Sequence, residues 1–136
     1  MTPQEKPAST LIDVWTIELT KYSFRDRIGD DYTFLLGMDG NLILYTWLEG
    51  QTCLRFWWSP TNAEGLPSFA HWIAGLSTDY VIGKFKQGKQ QMGRTKGDDK
   101  HFWMRIEGYV DSFLAHLKQE LAKQTVASQQ VTLPLN

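Results

Sequence analysis

The sequence predicts an α+β fold, an antiparallel β-meander sheet of four to five strands packed against a long C-terminal helix and one short helix. Three observations lead there. Two apolar runs flank Asp39-Gly40, with a second turn signal at Glu49-Gly50. Strand-type alternation runs before and through them, and an apolar stripe at helical spacing follows near the C-terminus. Strands that come as a run, followed by a helix apolar along one stripe, give a sheet with one face covered.

Met1 to Ser9 hold two prolines and polar residues without apolar periodicity. Residues 1–10 therefore read as a flexible lead, 11–122 as a single domain, and 123–136 as a polar tail without structure of its own. Over Leu11 to Lys21, Trp15, Ile17 and Leu19 alternate against Val14, Thr16 and Glu18, the pattern of a half-buried first strand. The stretch SFRDRIGDDY carries the breaker Gly29-Asp30-Asp31 and reads as a solvated connection or a short helical turn. Its acidic pair offers oxygens to a cation, but the ligand spacing of a calcium loop is missing. Thr33 to Pro60 form the meander, with Asp39-Gly40 expected in a type I′ turn. In its last strand, Leu54, Phe56 and Trp58 fall on one face and Cys53, Arg55 and Trp57 on the other. The face carrying an arginine is the poor candidate for core, so Arg55 and Trp57 are expected to look outward beside Tyr45 and Trp47.

SPTNAEGLPS is a loop by composition, and Pro67 opens a short helix reaching Gly75, whose Phe69, Trp72, Ile73 and Leu76 form one stripe. His71 lies between stripe positions and has no partner at helical spacing to make it a catalyst. Tyr80 to Lys86 reads as another strand, followed by the loop QGKQQMGRTKGDDK. Lys84, Lys86, Lys89, Arg94, Lys96 and Lys100 make this the densest positive region of the chain. One reading is a solvated connection. The other is a phosphate-tracking surface that, with Tyr45, Trp47, Arg55 and Trp57 as stacking rings and cation, binds single-stranded nucleic acid. Asp98 or Asp99 is expected to cap a helix from Lys100 whose stripe is Phe102, Trp103, Ile106, Val110, Phe113, Leu114, Leu117 and Leu121. Gly108 within it is expected to mark a close approach to another backbone.

With 136 residues, 42% of them hydrophobic, and a net charge of −1, the chain suits one domain with a real core and carries no global basic field. The single Cys53 excludes an intrachain disulfide, and His71, His101 and His116 are too scattered for a zinc site, so no metal or cofactor is expected. No apolar run approaches the roughly 20 residues that span a bilayer, and the first residues lack a secretion signal. A soluble, cytoplasmic protein without membrane contact is expected. No nucleophile, base and orienting group stand as a unit, so an enzyme is not expected.

The last residues, Gln130-Val131-Thr132-Leu133-Pro134-Leu135, resemble the peptide by which bacterial polymerases and replication or repair proteins dock on the DNA polymerase sliding clamp. The resemblance implies that Gln130 hydrogen-bonds at the rim of the clamp pocket, Leu133 and Leu135 fill its apolar subsites, and Pro134 holds the peptide extended. Val131 stands where larger aliphatic residues are frequent. The other reading of this segment folds Leu133 and Leu135 back onto their own domain. Two functions follow as expectations. The first is an accessory replication or repair protein that docks on the clamp and binds single-stranded nucleic acid. The second is a protein-interaction module of a phage or mobile element that binds the clamp or another partner and never touches DNA. An apolar helix stripe left exposed would point to a homodimer.

Overall fold

A computed structural model of the chain describes residues 8–47, 51–91 and 100–132, with side chains over 8–47, 51–88 and 100–124. Four strands, β1 (Leu19–Arg25), β2 (Asp31–Gly37), β3 (Asn41–Thr46) and β4 (Thr52–Trp57), form an antiparallel sheet in the order of the chain. The pairing sets Tyr22, Phe34, Leu44 and Leu54 in one cross-strand row and Lys21, Leu35, Ile43 and Arg55 in the next. Because side chains alternate along a strand, the first row faces one way and the second the other. Phe34, Leu44 and Leu54 are buried, whereas Lys21 and Arg55 are exposed.

Among the described residues the three α-helices lie on the apolar side: α1 (Phe69–Ala74), α2 (Thr78–Gln91) and α3 (Lys100–Thr132). Ser68 caps α1, and Phe69 and Ile73 bury the stripe expected of it. In α3, Phe102, Trp103, Ile106, Val110, Phe113, Leu114 and Leu117 are all buried, and Leu121 packs against their cluster. The contact between sheet and helix is aromatic. Phe113 stacks on Phe34 with ring centroids 4.2 Å apart, Tyr109 on Tyr32 at 3.8 Å, and Tyr22 meets Phe113 edge-on at 5.3 Å.

The architecture follows expectation, with corrections to its parts. The first strand is not Leu11–Lys21. The strand begins at Leu19, just after the Glu18 carbonyl accepts the Met38 N–H, and 11–18 precedes it as an exposed arm, because alternation makes a strand only where a neighbouring strand accepts its hydrogen bonds. The stretch expected to be a solvated connection supplies the last three residues of β1, Ser23 to Arg25, and the first two of β2, Asp31 and Tyr32. The hairpin at Asp39-Gly40 has a three-residue connection, closed by the Gly40 N–H on the Gly37 carbonyl at 3.2 Å, in place of the two-residue type I′ turn. Gly40 is obligatory there: its φ is +100°, and a Cβ would lie 1.9 Å from the Trp58 carbonyl oxygen. Residues 48–50, with the second turn signal, lie outside the described residues.

Tyr80 to Lys86 is helix, not strand. Ser77 caps it, its Oγ accepting the Tyr80 N–H and its carbonyl the Val81 N–H, each at 3.2 Å. Val81, Ile82 and Phe85 form a buried i, i+1, i+4 stripe that outweighs the β propensity of the short run YVI. The loop expected from Gln87 is helical as far as Gln91, while Asp98 and Asp99 lie outside the described residues. Nor does α3 end with its apolar stripe: it continues through Thr132, over residues expected to lack structure.

The close approach expected at Gly108 is found at Gly88 instead. Nothing lies within 4 Å of a Cβ built on Gly108, whereas one on Gly88 would meet the Arg55 carbonyl oxygen at 2.8 Å. Trp58 N–H bonds the Gly40 carbonyl, so the alternation of the antiparallel ladder turns the Arg55 carbonyl away from β3 and off the sheet edge. There α2 covers it. Gly88→Val is therefore expected to destabilise the fold by roughly 1–3 kcal/mol, as forced overpacking does. Gly83→Ala, at a helical position with open space around it, is expected to stabilise by roughly 0.5–1 kcal/mol. Thermal melts of the two variants check the pair, and equal effects would contradict the edge-covering role of α2.

Candidate functional site

The sheet has one uncovered side among the described residues, and the four meander residues singled out from the sequence are on it or at its rim. Tyr45, Trp57 and Trp47 are 47%, 53% and 67% exposed, and Arg55 lies in the middle of β4 between them. Leu35 and Ile43, half-buried, carry the apolar surface across β2 and β3. Trp57 is held in place. Its indole N–H donates to the Asp39 carbonyl at 2.8 Å, and Asp39 in turn accepts from the Asn41 side chain at 2.7 Å. The cations of this side are Lys21, Arg55 and Arg25, the last paired with Asp31 at 2.7 Å. The Cys53 thiol, opposite Tyr45, is pushed up by partial burial against the pull of Arg55, so it is not a poised thiolate.

The basic residues expected to complete this surface do not join it. Lys84 sits on the helical side, its ammonium 5.3 Å from the Phe56 ring and 5.5 Å from the Tyr80 ring. Lys86 lies 5.2 Å over Trp103 of α3. The Lys89 side chain, Arg94 and Lys96 are outside the described residues, so the aromatic surface and the helical lysines are separate features. At the other end, Gln130, Val131 and Thr132 are helical in backbone, while Leu133, Pro134 and Leu135 are outside the described residues. His71 is engaged with the Ser68 hydroxyl at 2.8 Å, as a cap residue.

A second cluster joins the β1–β2 turn to α3 and was not legible beforehand. Arg105 Nη2 donates to Asp26 Oδ2 at 2.8 Å, and to Asp30 Oδ2 at 2.9 Å. The Tyr109 hydroxyl donates to Asp26 at 2.8 Å. The other Asp26 oxygen accepts the Ile28 and Asp30 backbone N–H groups at 3.1 and 2.9 Å, which shapes the turn. Desolvation raises the Asp26 carboxyl, but the bonds from Asp30, Tyr109, Arg105 and Ile28 outweigh it and bring it down to about 2. Burial and the bond to Asp26 push Tyr109 up to about 12, and the bond to Asp30 raises Arg105. These groups line a cleft of about 400 Å³, yet they satisfy one another. The cluster is a clamp between turn and helix. Asp30 and Asp31, offered above to a cation, each take an arginine instead, and among the described residues no three His, Cys, Asp or Glu side chains group to hold a metal. Arg105 and Tyr109 share an i, i+4 face in the sequence, but nothing local announces a partner some 80 positions earlier.

The chain matches no family model, no curated protein and no solved structure. Among the described residues no helix is long and apolar enough to cross a membrane.

The sign of the clamp's pH dependence follows from the lowered Asp26 carboxyl. Its contribution is complete above the unfolded value of about 4 and is lost as pH falls through the folded value of about 2. Denaturation midpoints measured between those limits are expected to fall for the native chain and to stay flatter for Asp26→Asn, which is less stable at neutral pH. Parallel curves would contradict the assignment.

Proposed function

We propose that the protein is a non-enzymatic interaction module whose main binding surface is the uncovered face of its sheet. One observation carries this reading: Tyr45, Trp47 and Trp57 stand exposed around Arg55 on a rigid sheet whose other face is fully used by helices. Large aromatic rings and arginine are the residue types on which protein interfaces concentrate their binding energy. The face carries more apolar surface than charge, since Leu19, Leu35 and Ile43 join the rings while Lys84 and Lys86 stand elsewhere. A protein partner fits that composition better than a phosphate backbone does.

A second contact is favoured by the far end of α3. The apolar stripe ends at Leu121, Ala122 to Gln124 are exposed, and the helix goes on through Thr132. Such a helix carries the backbone of Gln130 to Thr132 beyond the end of the apolar stripe, and the segment Gln130–Leu135 serves as the sliding-clamp peptide it resembles. Docking in an extended form then requires the last helical turn at Gln130 to Thr132 to unwind, a small cost at a fraying helix end.

Binding measurements test both contacts. Replacing Gln130, Leu133 and Leu135 with Ala is expected to abolish binding to a purified bacterial sliding clamp and to leave the melting temperature unchanged; unchanged clamp affinity would remove this contact from the proposal. Labelled single-stranded oligonucleotide is expected to bind weakly. Tight binding that falls steeply with salt and is lost in Trp57→Ala would replace the protein-partner reading of the sheet face with a nucleic-acid one.

A further inference from the structure

The arm before β1 is the least explained part of the molecule. Leu11, Ile12, Val14, Trp15 and Ile17 are between 43% and 95% exposed, a concentration of large apolar side chains that none of the described elements covers. The arm satisfies itself locally, with Asp13 accepting the Val14 N–H at 2.8 Å and the Trp15 indole N–H. It runs straight into β1, which is an edge of the sheet. The two edges are not alike: α2 covers β4 at the Arg55 carbonyl, whereas among the described residues no strand pairs with the outer side of β1. An edge strand of seven residues with no proline and no bulge, whose cations are Lys21 and Arg25, the latter engaged by Asp31, has few of the usual guards against pairing.

We infer that β1 and its arm pair antiparallel with the same segment of a second copy, joining two sheets across a two-fold axis. The ladder dictates which groups are free. The Met38 N–H bonds the Glu18 carbonyl, so even-numbered residues of this strand face β2, and the backbone groups of Ile17, Leu19 and Lys21 point outward. A two-fold axis perpendicular to the sheet pairs residues of equal parity, leaving a small set of registers. With Ile17 opposite Ile17, Trp15 meets Leu19 and Asp13 meets Lys21 on the open face, while Val14 meets Thr20 and Ile12 meets Tyr22 on the helical side. That register buries the apolar arm and joins an acidic side chain to a basic one twice, once on each side of the axis. Shifting it one step toward β1 sets Glu18 against Glu18, a like-charge pair that destabilises a ladder, and shifting it the other way sets Asp13 against Leu19 and loses the ion pair. The second copy is therefore the occupant that the charge pattern and the edge select, and its interface is separate from the sheet-face and tail contacts proposed above.

Sedimentation equilibrium on the full chain tests this. A dimer at micromolar concentration is expected, weakened about tenfold by Lys21→Asp and restored by the exchange Asp13→Lys with Lys21→Asp. In a Cys53→Ser background, Ile17→Cys brings two thiols together at the axis within disulfide range, so mild oxidation is expected to give a covalent dimer, and Ile28→Cys, in the distant turn, is not. A chain that stays monomeric, a dimer indifferent to Lys21→Asp, or equal cross-linking from both cysteine positions would overturn the inference.

Discussion

The stacking of Phe113 on Phe34 and of Tyr109 on Tyr32 is the contact on which the rest of this structure depends. These rings lie one helical turn apart on α3 and two residues apart on β2, so they fix both the position and the direction of the helix across the sheet. Once α3 is seated there, α2 packs between it and β4, and α1 packs on α3 and on Trp58 beyond the end of β4. Phe34, Phe85 and Phe113 accordingly rank among the largest fully buried side chains. The consequence is a two-layer domain in which the described α-helices lie on one side. The clamp of Arg105 and Tyr109 on Asp26 extends the same seat by one turn, tying the β1–β2 connection to the helix and keeping β1 in place although only one strand pairs with it.

This asymmetry explains what the sequence made legible. The split of β4 into Leu54 and Trp58 inward, Arg55 and Trp57 outward, was readable because a two-residue period with one arginine has a single sensible orientation. The stripe of α3 was readable because it is long. The arm at Leu11 to Ile17 misled for a definite reason: it has the alternation of a strand, and alternation reports that a segment is able to pair, not that a partner strand is present in the same molecule. Tyr80 to Lys86 misled because four residues of β-branched and aromatic character carry either period, and the deciding signals, Ser77 as cap and Phe85 one turn after Val81, lay at its ends. The Asp26–Arg105 cluster was beyond reach, since it depends on where α3 crosses the sheet.

The candidate surface was legible in its aromatic half alone. Reading Lys84 and Lys86 as part of a strand that leads into a basic loop placed them beside Trp57; as residues of α2 they turn toward Phe56, Tyr80 and Trp103 on the opposite side of the sheet. A phosphate backbone needs cations along its whole track, and the open side provides Lys21, Arg25 and Arg55 with Asp31 already engaged by one of them. Separation of rings from helical cations shifts the balance from nucleic acid to protein.

Net charge strengthens that argument. With 14 basic and 15 acidic residues the chain has almost no net repulsion between copies, so an aromatic sheet face and an apolar strand edge meet other molecules without an electrostatic barrier. A domain in that condition either conceals such surfaces in a specific complex or aggregates through them. The clamp at Asp26 and the cover of Gly88 over the β4 edge show where the fold does guard itself. The unguarded places are β1 and the face of Tyr45, Trp47 and Trp57. Exposure of this kind, concentrated on one edge and one face of an otherwise well-packed domain, is what the two proposed contacts, one at the β1 edge and one at the sheet face, would conceal.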